Sequence, residues 1–472
     1  MEPKAFRILQ LLSQAPNSLV PRPVISEPII SVSGLRGIVG ESLAPDVAIR
    51  YACAFANGLP PGPIVITRDG RTTGPMLAAC LTGGLTAIGR DVINGGVAAT
   101  PTTGVLVRDV RAAGGIQISA SHNPPEYNGL KLFSAEGRVI PADAGAKVIE
   151  RYRDLPPTWV RHREVGTFGP CKGSVEPHWS LLSRIIDVER IKRRSFCVLL
   201  DSNHGAGSVV GRVLFERLGC RATIVGGEPD GRFEHVLEPT AENLRDILPL
   251  VKQAGADVGF CQDPDADRLA VIDESGRYLG EEYTLAISVD HVLRNRKGPI
   301  VTNCSTSRMS EDLAVKYGVP FYRSAVGEAN VVDLMLRNSA VLGGEGNGGV
   351  IDPRVGLVRD SFVGMALLLD AMAGREMRIS QLADELPRYE LHKAKSSLRP
   401  EKLAAALDRL ERRFSDARAD RLDGLRLDWP GKWLLIRPSN TEPIVRVFAE
   451  APTAAEAERL CGEVATVISS IA

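Results

Sequence analysis

The chain lacks a net charge: across 472 residues, 57 Lys and Arg are balanced by 57 Asp and Glu. Without an overall field there is no electrostatic reason to expect nucleic acid or a membrane as partner, and an anionic ligand must be met by local basic groups. It also lacks a cysteine framework. The eight cysteines (Cys53, Cys80, Cys171, Cys197, Cys220, Cys261, Cys304, Cys461) are scattered with no CxxC pair, so they read as reduced thiols in a cytoplasmic protein. No apolar run approaches the length of a membrane span. Near the start, Gln10 breaks the apolar stretch Ile8 to Leu12 and no small-residue cleavage site follows, so residues 1–24 read as a short amphipathic extension rather than a signal peptide.

What is there is length enough for several domains, and a repeated pattern. Gly62 to Thr67 reads as a buried strand, then a polar turn through Asp69-Gly70-Arg71, then an apolar helix ending near Gly89. Phe196 to Leu200 begins the same series, with a helix ending near Gly219, and Gly298 to Thr302 begins it again, with a helix ending near Gly318. Strand, short polar turn and glycine-closed helix is the unit of a layered α/β sheet, and three starts at wide, similar spacing predict three related α/β domains with helices packed on mixed sheets. After these, Gly424 to Trp429, Lys432 to Ile436 and Ile444 to Ala449 alternate like strands between helical stretches at Glu401 to Phe414 and Ala454 to Ile471, predicting a smaller C-terminal α+β domain. Polar and Pro-bearing stretches place the domains at 25–156, 157–277, 278–384 and 385–472. A helix is expected from Pro45, and Ser33 to Gly37 reads as a turn that leaves Arg36 exposed.

Four stretches carry chemistry. In Ser119-Ala120-Ser121-His122-Asn123-Pro124-Pro125, between strand-like runs Gly115 to Ile118 and Leu130 to Phe133, Ser121 sits on a stiff exposed loop where a hydroxyl can meet a ligand; a plain turn would look similar. Asp263, Asp265 and Asp267, followed by Arg268, can converge on a hard divalent cation. A calcium loop ending at Glu274 competes, as does a solvated acidic turn, although Arg268 stands where such a calcium loop needs glycine. Gly343 to Gly349 lets backbone approach a ligand, with Glu345 and Asn347 offering groups a sugar requires, and a hairpin tip is the alternative. Arg437-Pro438-Ser439-Asn440-Thr441-Glu442-Pro443, with Arg446 beyond, makes a cradle for an anion such as phosphate, unless it is a surface turn.

Together and in this order, the four stretches resemble the α-D-phosphohexomutase superfamily, which includes phosphoglucomutases, phosphomannomutases and phosphoglucosamine mutases. The resemblance implies an isomerase with four domains around a central cleft, each giving one loop. It implies that Ser121 carries the transferable phosphoryl group and, with Asp263, Asp265 and Asp267, holds one Mg²⁺. It implies that Arg36, His122 and Lys131 serve the reacting phosphoryl group, and that Arg268, Glu345, Asn347, Arg437, Ser439, Asn440 and Thr441 bind the substrate. Val326-Gly327-Glu328 looks like a second sugar-reading turn. The partners implied are a hexose phosphate and a hexose 1,6-bisphosphate. A phosphoserine beside three aspartates is strongly anionic. Each uncompensated like-charge pair costs about 4 kcal/mol at ~4 Å and an effective dielectric near ~20, which Arg36, Lys131, His122 and Arg268 can offset.

The chain departs from the pattern at one point. Many members end the sugar loop in serine, glycine, histidine, where this chain has Asn347-Gly348-Gly349, so a general-base role falls to Lys131, His122 or Arg36. The GEGNGG form, Asp230 to Phe233 and Glu242 to Leu244 look like archaeal-type relatives, and the reading leans to glucosamine phosphate, with mannose or glucose phosphate next. A silent sugar-phosphate binder or a phosphatase are the competing classes. A binder has no need of an acidic loop beside a nucleophile, and a mutase must shield its phosphoserine from water.

Overall fold

The computed structural model describes residues 27–31, 34–438 and 444–470. The predicted extension at 1–24 and Ser439, Asn440 and Thr441 lie outside the described residues.

Ile64–Arg68 lies between Val92–Val97 and Gly114–Ile118 and runs parallel to both. Ile64, Val65 and Ile66 are all buried, because a parallel strand covered on both faces needs a continuous apolar run rather than alternation. The chain then turns through 119–126 and returns antiparallel as Tyr127–Ser134. The second unit repeats this arrangement: Cys197–Asp201 is parallel to Arg221–Val225 and Val258–Gln262, and Leu269–Asp273 returns antiparallel. So does the third, with Ile300–Asn303, Phe321–Ser324 and Leu342–Glu345 parallel and Gly349–Ile351 returning. The helices after the first strand of each unit, Gly74–Ala87, Gly207–Arg217 and Met309–Tyr317, are followed by Gly89, Gly219 and Gly318. All three glycines take positive φ, of 82°, 65° and 66°, the conformation that ends a helix and that a side chain disfavours.

The fourth unit is an antiparallel five-stranded sheet packed under Leu403–Arg413 and Ala454–Ser469. The architecture is therefore three related α/β units and a smaller C-terminal α+β unit around a cleft. The second and third units share one core, in which every residue from Ser361 to Ala373 of the helix Ser361–Arg375 is buried. Among the described residues no helix is long and apolar enough to cross a membrane, and all eight cysteines are free thiols.

One local expectation fails. Gly34–Ile38 is a strand, not a turn, held between Ile29–Ser31 and Tyr127–Ser134, and Arg36 is half-buried rather than exposed. Glycine marks a close approach there: a Cβ on Gly34 would lie 2.2 Å from the carbonyl oxygen of Leu130.

Candidate active site

The repeat places the chemistry. In each α/β unit the loop between the third parallel strand and its antiparallel return carries the residues singled out in the sequence: 119–126, 263–268 and 346–348. The fourth stretch, 439–443, lies in sequence between Lys432–Pro438 and Ile444–Ala451 and outside the described residues. Ligands of open α/β sheets gather at the carboxyl ends of parallel strands, and the three loops meet there.

Ser121 has φ +50° and is only 3% exposed: the tip of the loop, Pro124 to Glu126, is exposed as expected, but the second unit covers its Ser121 end through Asp263. Its backbone N–H donates to Ser119 Oγ (2.9 Å), which donates to Asp69 Oδ2 (2.6 Å). Arg71, which no motif marked, fixes the loop from beneath. Its Nε faces Asp69 Oδ2 (3.3 Å), Nη1 donates to the carbonyls of Pro124 (2.7 Å) and Tyr127 (2.8 Å), and Nη2 donates to those of Ser121 (2.7 Å) and Asn123 (2.5 Å). Five guanidinium donors thus meet five acceptors in a fully buried setting, which leaves the loop little freedom. Arg36 Nη1 donates to Asn123 Oδ1 (2.9 Å).

Ser121 Oγ donates to Asp263 Oδ2 at 2.7 Å across 142 residues of chain. Asp263, Asp265 and Asp267 are fully buried, and each offers an oxygen within 4.8 Å of the others. Thr100 Oγ1 (2.6 Å) and Lys131 Nζ (2.9 Å) donate to Asp265 Oδ2, while Lys131 Nζ (2.8 Å) and Arg359 Nη2 (2.7 Å) donate to Asp267 Oδ2. That leaves Asp265 Oδ1 and Asp267 Oδ1 buried with no hydrogen-bond partner. Two orphaned carboxylate oxygens beside a third carboxylate and a serine hydroxyl fit a hard divalent cation. The calcium-loop alternative fails: strands flank the loop, and Glu274 Oε1 accepts from Ser380 Oγ (2.5 Å).

Burial, then repulsion from Asp265 and Asp267, pushes Asp263 well above the carboxylate range. Burial presses Asp265 the same way, but the Lys131 charge and its hydrogen bonds overcome it and hold Asp265 low. Burial opposes the Lys131 charge, yet Asp265, Asp267 and Glu328 raise its pKa, so the ammonium is committed as a cation. His122, whose Nδ1 lies 3.3 Å from Ser121 Oγ, is driven down to about 2 by burial and by Arg268 and Arg36, and stays neutral.

Beside this cluster opens a cleft of about 490 Å³ whose walls include Arg36, Lys131, Arg268, Glu345, Asn347 and Arg437, each expected from sequence. Glu345 is rigidly set: Oε1 accepts from Asn303 Nδ2 (2.7 Å) and the Gly327 N–H (3.1 Å), and Oε2 accepts from Arg359 Nη1 (2.7 Å). The Gly327 contact joins the two turns that the resemblance assigns to the sugar. On the opposite wall Arg437 and Arg446 face each other across neighbouring strands, Lys393 stands near them, and Asp423 Oδ2 lies 3.2 Å from Arg437 Nε.

Models of the phosphoglucomutase/phosphomannomutase family match four successive segments: alpha/beta/alpha domain I at 29–156, domain II at 176–276, domain III at 281–389 and the C-terminal domain at 396–467. The chain belongs to this family. It is 36% identical over 426 residues to a phosphoglucomutase/phosphomannomutase of Thermococcus kodakarensis, covering 89% of this chain and 93% of that one. It is 34% identical over 449 residues to a probable phosphoglucosamine mutase of Pyrococcus horikoshii, covering 93% and 97%. The crystal structure of a phosphoglucomutase/phosphomannomutase family protein from Burkholderia thailandensis superposes with a TM-score of 0.79 at 28% identity, covering 94% of this chain and 97% of that one.

This phosphohexomutase is thus an isomerase that works by intramolecular phosphoryl transfer. Four of its site residues escaped sequence reading: Arg71, Thr100, Asn303 and Arg359. Asn303 occupies the strand end equivalent to Asp69 and Asp201, so aligning the three repeats by register would have flagged it, whereas Arg71 stands two residues beyond that end, where the other units have Asn203 and Ser305. Arg359 lies between the turn residues Pro353 and Gly356 and the helix start at Asp360-Ser361, a position that reads as ordinary loop and carries no mark of its partners.

Proposed function

We propose that the chain interconverts hexose 1-phosphates and 6-phosphates through a phosphorylated Ser121 and a hexose 1,6-bisphosphate, with glucosamine phosphate as preferred substrate and mannose or glucose phosphate next. The observation that carries this is the 2.7 Å contact of Ser121 Oγ with Asp263 inside a buried aspartate triplet whose partners Lys131 and Arg359 line the cleft. The lean to glucosamine is supported by relatives such as those of Pyrococcus horikoshii and Thermococcus kodakarensis, whose names are probable phosphoglucosamine mutase.

Asp263, Asp265, Asp267 and the Ser121 oxygen would hold one Mg²⁺, which when bound supplies positive charge to the phosphoryl oxygens. The substrate hydroxyl forms a bond to phosphorus as the bond from phosphorus to Ser121 Oγ breaks, and the hydroxyl proton ends on Ser121 Oγ. Lys131, a committed cation, balances developing charge rather than accepting that proton. Neutral His122, with Nδ1 3.3 Å from Ser121 Oγ, offers that oxygen a hydrogen-bond partner while the proton moves directly from the substrate hydroxyl to Ser121 Oγ. Arg437, Arg446 and, from the sequence pattern, Ser439, Asn440 and Thr441 hold the phosphate that is not reacting. Arg268, Glu345 and Asn347 take the ring in either of two orientations, so the bisphosphate can turn over and return its other phosphoryl group to Ser121. Free thiols and the lack of a spanning helix among the described residues support a cytoplasmic setting.

Intact-protein mass spectrometry and coupled assays on 1-phosphates and 6-phosphates of the three sugars test this. A phosphorylated fraction that vanishes in Ser121→Ala together with turnover is expected. Turnover surviving in Ser121→Ala, or none on any sugar by native protein, overturns it.

A further inference from the structure

Arg359 lies in no motif, yet its guanidinium joins three loops. Nε donates to Glu328 Oε2 (2.9 Å) in the second sugar-reading turn, Nη1 to Glu345 Oε2 (2.7 Å) in the sugar loop, and Nη2 to Asp267 Oδ2 (2.7 Å) in the aspartate loop. Its backbone N–H adds a contact to Glu328 Oε2 (3.2 Å). A planar fork with fixed donor directions cannot satisfy three carboxylates unless all three are in register, so a shift in one loop is felt by the others.

The path of the arginine stem depends on a glycine. A Cβ on Gly349 would lie 2.4 Å from Arg359 Cδ, 2.7 Å from Cγ and 2.8 Å from Cβ. Gly349 is not among the residues with positive φ, so its lack of a side chain answers a need for space, not for an unusual backbone. Arg359 thus fills the volume a side chain at 349 would take. A guanidinium keeps its proton at any working pH, so this is no position for proton transfer.

We propose that Arg359 is a positioning residue that couples the aspartate loop to the sugar loop, and that position 349 is glycine in order to seat it. The proposal rests on the functional reading above. A cation at Asp265 Oδ1 and Asp267 Oδ1 fixes the Asp267 carboxylate, which fixes the fork, which sets Glu345 and Glu328 before the sugar arrives. Such pre-setting makes the two ligands bind cooperatively, and linkage requires the effect to be reciprocal.

Titration calorimetry on full-length, unphosphorylated protein tests it, with glucosamine 6-phosphate added in saturating Mg²⁺ and in chelator, and Mg²⁺ added with and without the sugar phosphate. Without a phosphoserine no turnover occurs, so the readout is binding alone. Native protein should bind the sugar phosphate at least about fivefold more tightly with Mg²⁺, within the usual range of coupling between sites. In Arg359→Gln the factor should fall towards one. Gly349→Ala should reproduce that loss by pushing the stem aside while leaving every charge in place, and it decides the matter alone if Arg359→Gln does not fold. Equal coupling in native and variant proteins overturns the proposal while leaving the mutase reading intact. Failure of native protein to bind any of the three hexose 6-phosphates overturns that reading and the proposal with it.

Discussion

Ser121 stands in a left-handed backbone conformation that costs a residue with a side chain about 1 kcal/mol relative to glycine. Ser121→Gly and Ser121→Ala should both lose turnover, yet the glycine variant should be the more stable by about 1 kcal/mol in urea unfolding, separating the hydroxyl's chemistry from the backbone's strain. Arg71 holds that strain in place. Arg71→Ala removes the guanidinium from the carbonyls of Ser121, Asn123, Pro124 and Tyr127 and takes away the cation beside Asp69, which keeps only Ser119 Oγ and a backbone N–H, and unfolding measurements should register a loss of about 3–5 kcal/mol together with falling activity. A loss under about 1 kcal/mol would mean water replaces the guanidinium without harm. At this scale the sequence was half legible. Ser121 and the aspartates are bunched in short motifs, whereas the carbonyls that Arg71 holds lie 50 or more positions away, and the carboxylates that Arg359 joins lie 14, 31 and 92 positions away. A lone arginine in a turn carries no mark of where its donors will land.

The strand ends follow one rule. Asp69, Asp201 and Asn303 close the first strand of the three α/β units, and in each the side-chain Oδ1 accepts the backbone N–H two residues on, at 2.9 Å, bending the chain into its turn. In the second unit Asp201 Oδ2 also faces His235 Nε2 at 2.8 Å, tying the distal loop to the strand. Burial works against the imidazolium, but the hydrogen bond and charge of Asp201 raise the His235 pKa above its usual value. A raised folded-state value means the contact stabilises fully below the unfolded value near ~6.5 and fades as pH rises through the folded one. The melting difference between native protein and His235→Gln should therefore be larger at pH 5.5 than at pH 8.5, and a difference that grows with pH would refute the pairing. Strands such as Ile64–Arg68, buried on both faces, were plain from apolar runs. Glu390–Ser397 was not: as an edge strand its residues alternate between half-buried and exposed, and no apolar run marks it before Ile444–Ala451 supplies the partner.

On the proposed mechanism the molecule lets substrate in and holds a bisphosphate while it turns, which parting of the C-terminal unit from the third would help. At the seam between them Cys304, Trp433 and Leu435 form a separate apolar cluster, flanked by Glu450 Oε1 accepting from Trp433 Nε1 (2.7 Å) and the Arg308 N–H (2.9 Å), by Tyr389 Oη donating to Asp312 Oδ2 (2.7 Å), by Arg426 Nη1 donating to the Cys304 carbonyl and by the Val326 N–H donating to Asp423 Oδ2 (3.0 Å). The link to the C-terminal sheet, 385–389, is short and lies between the helix Ile379–Asp384 and the strand Glu390–Ser397, where a hinge costs few contacts. Cys304 reports on this motion. It is 2% exposed, and burial with the nearby Asp423 charge pushes its thiol up to about 11, so it reacts only when the seam opens. Mass-mapped alkylation should find Cys304 modified far more slowly than the half-buried Cys171 in the native protein. Hexose 1,6-bisphosphate should slow it further by drawing Arg437 and Arg446 towards the sugar loop, and Trp433→Ala should speed it in both conditions. If the bisphosphate leaves the Cys304 rate unchanged while still protecting phospho-Ser121, the fourth unit does not close on substrate, and reorientation must take place in a cleft of fixed width.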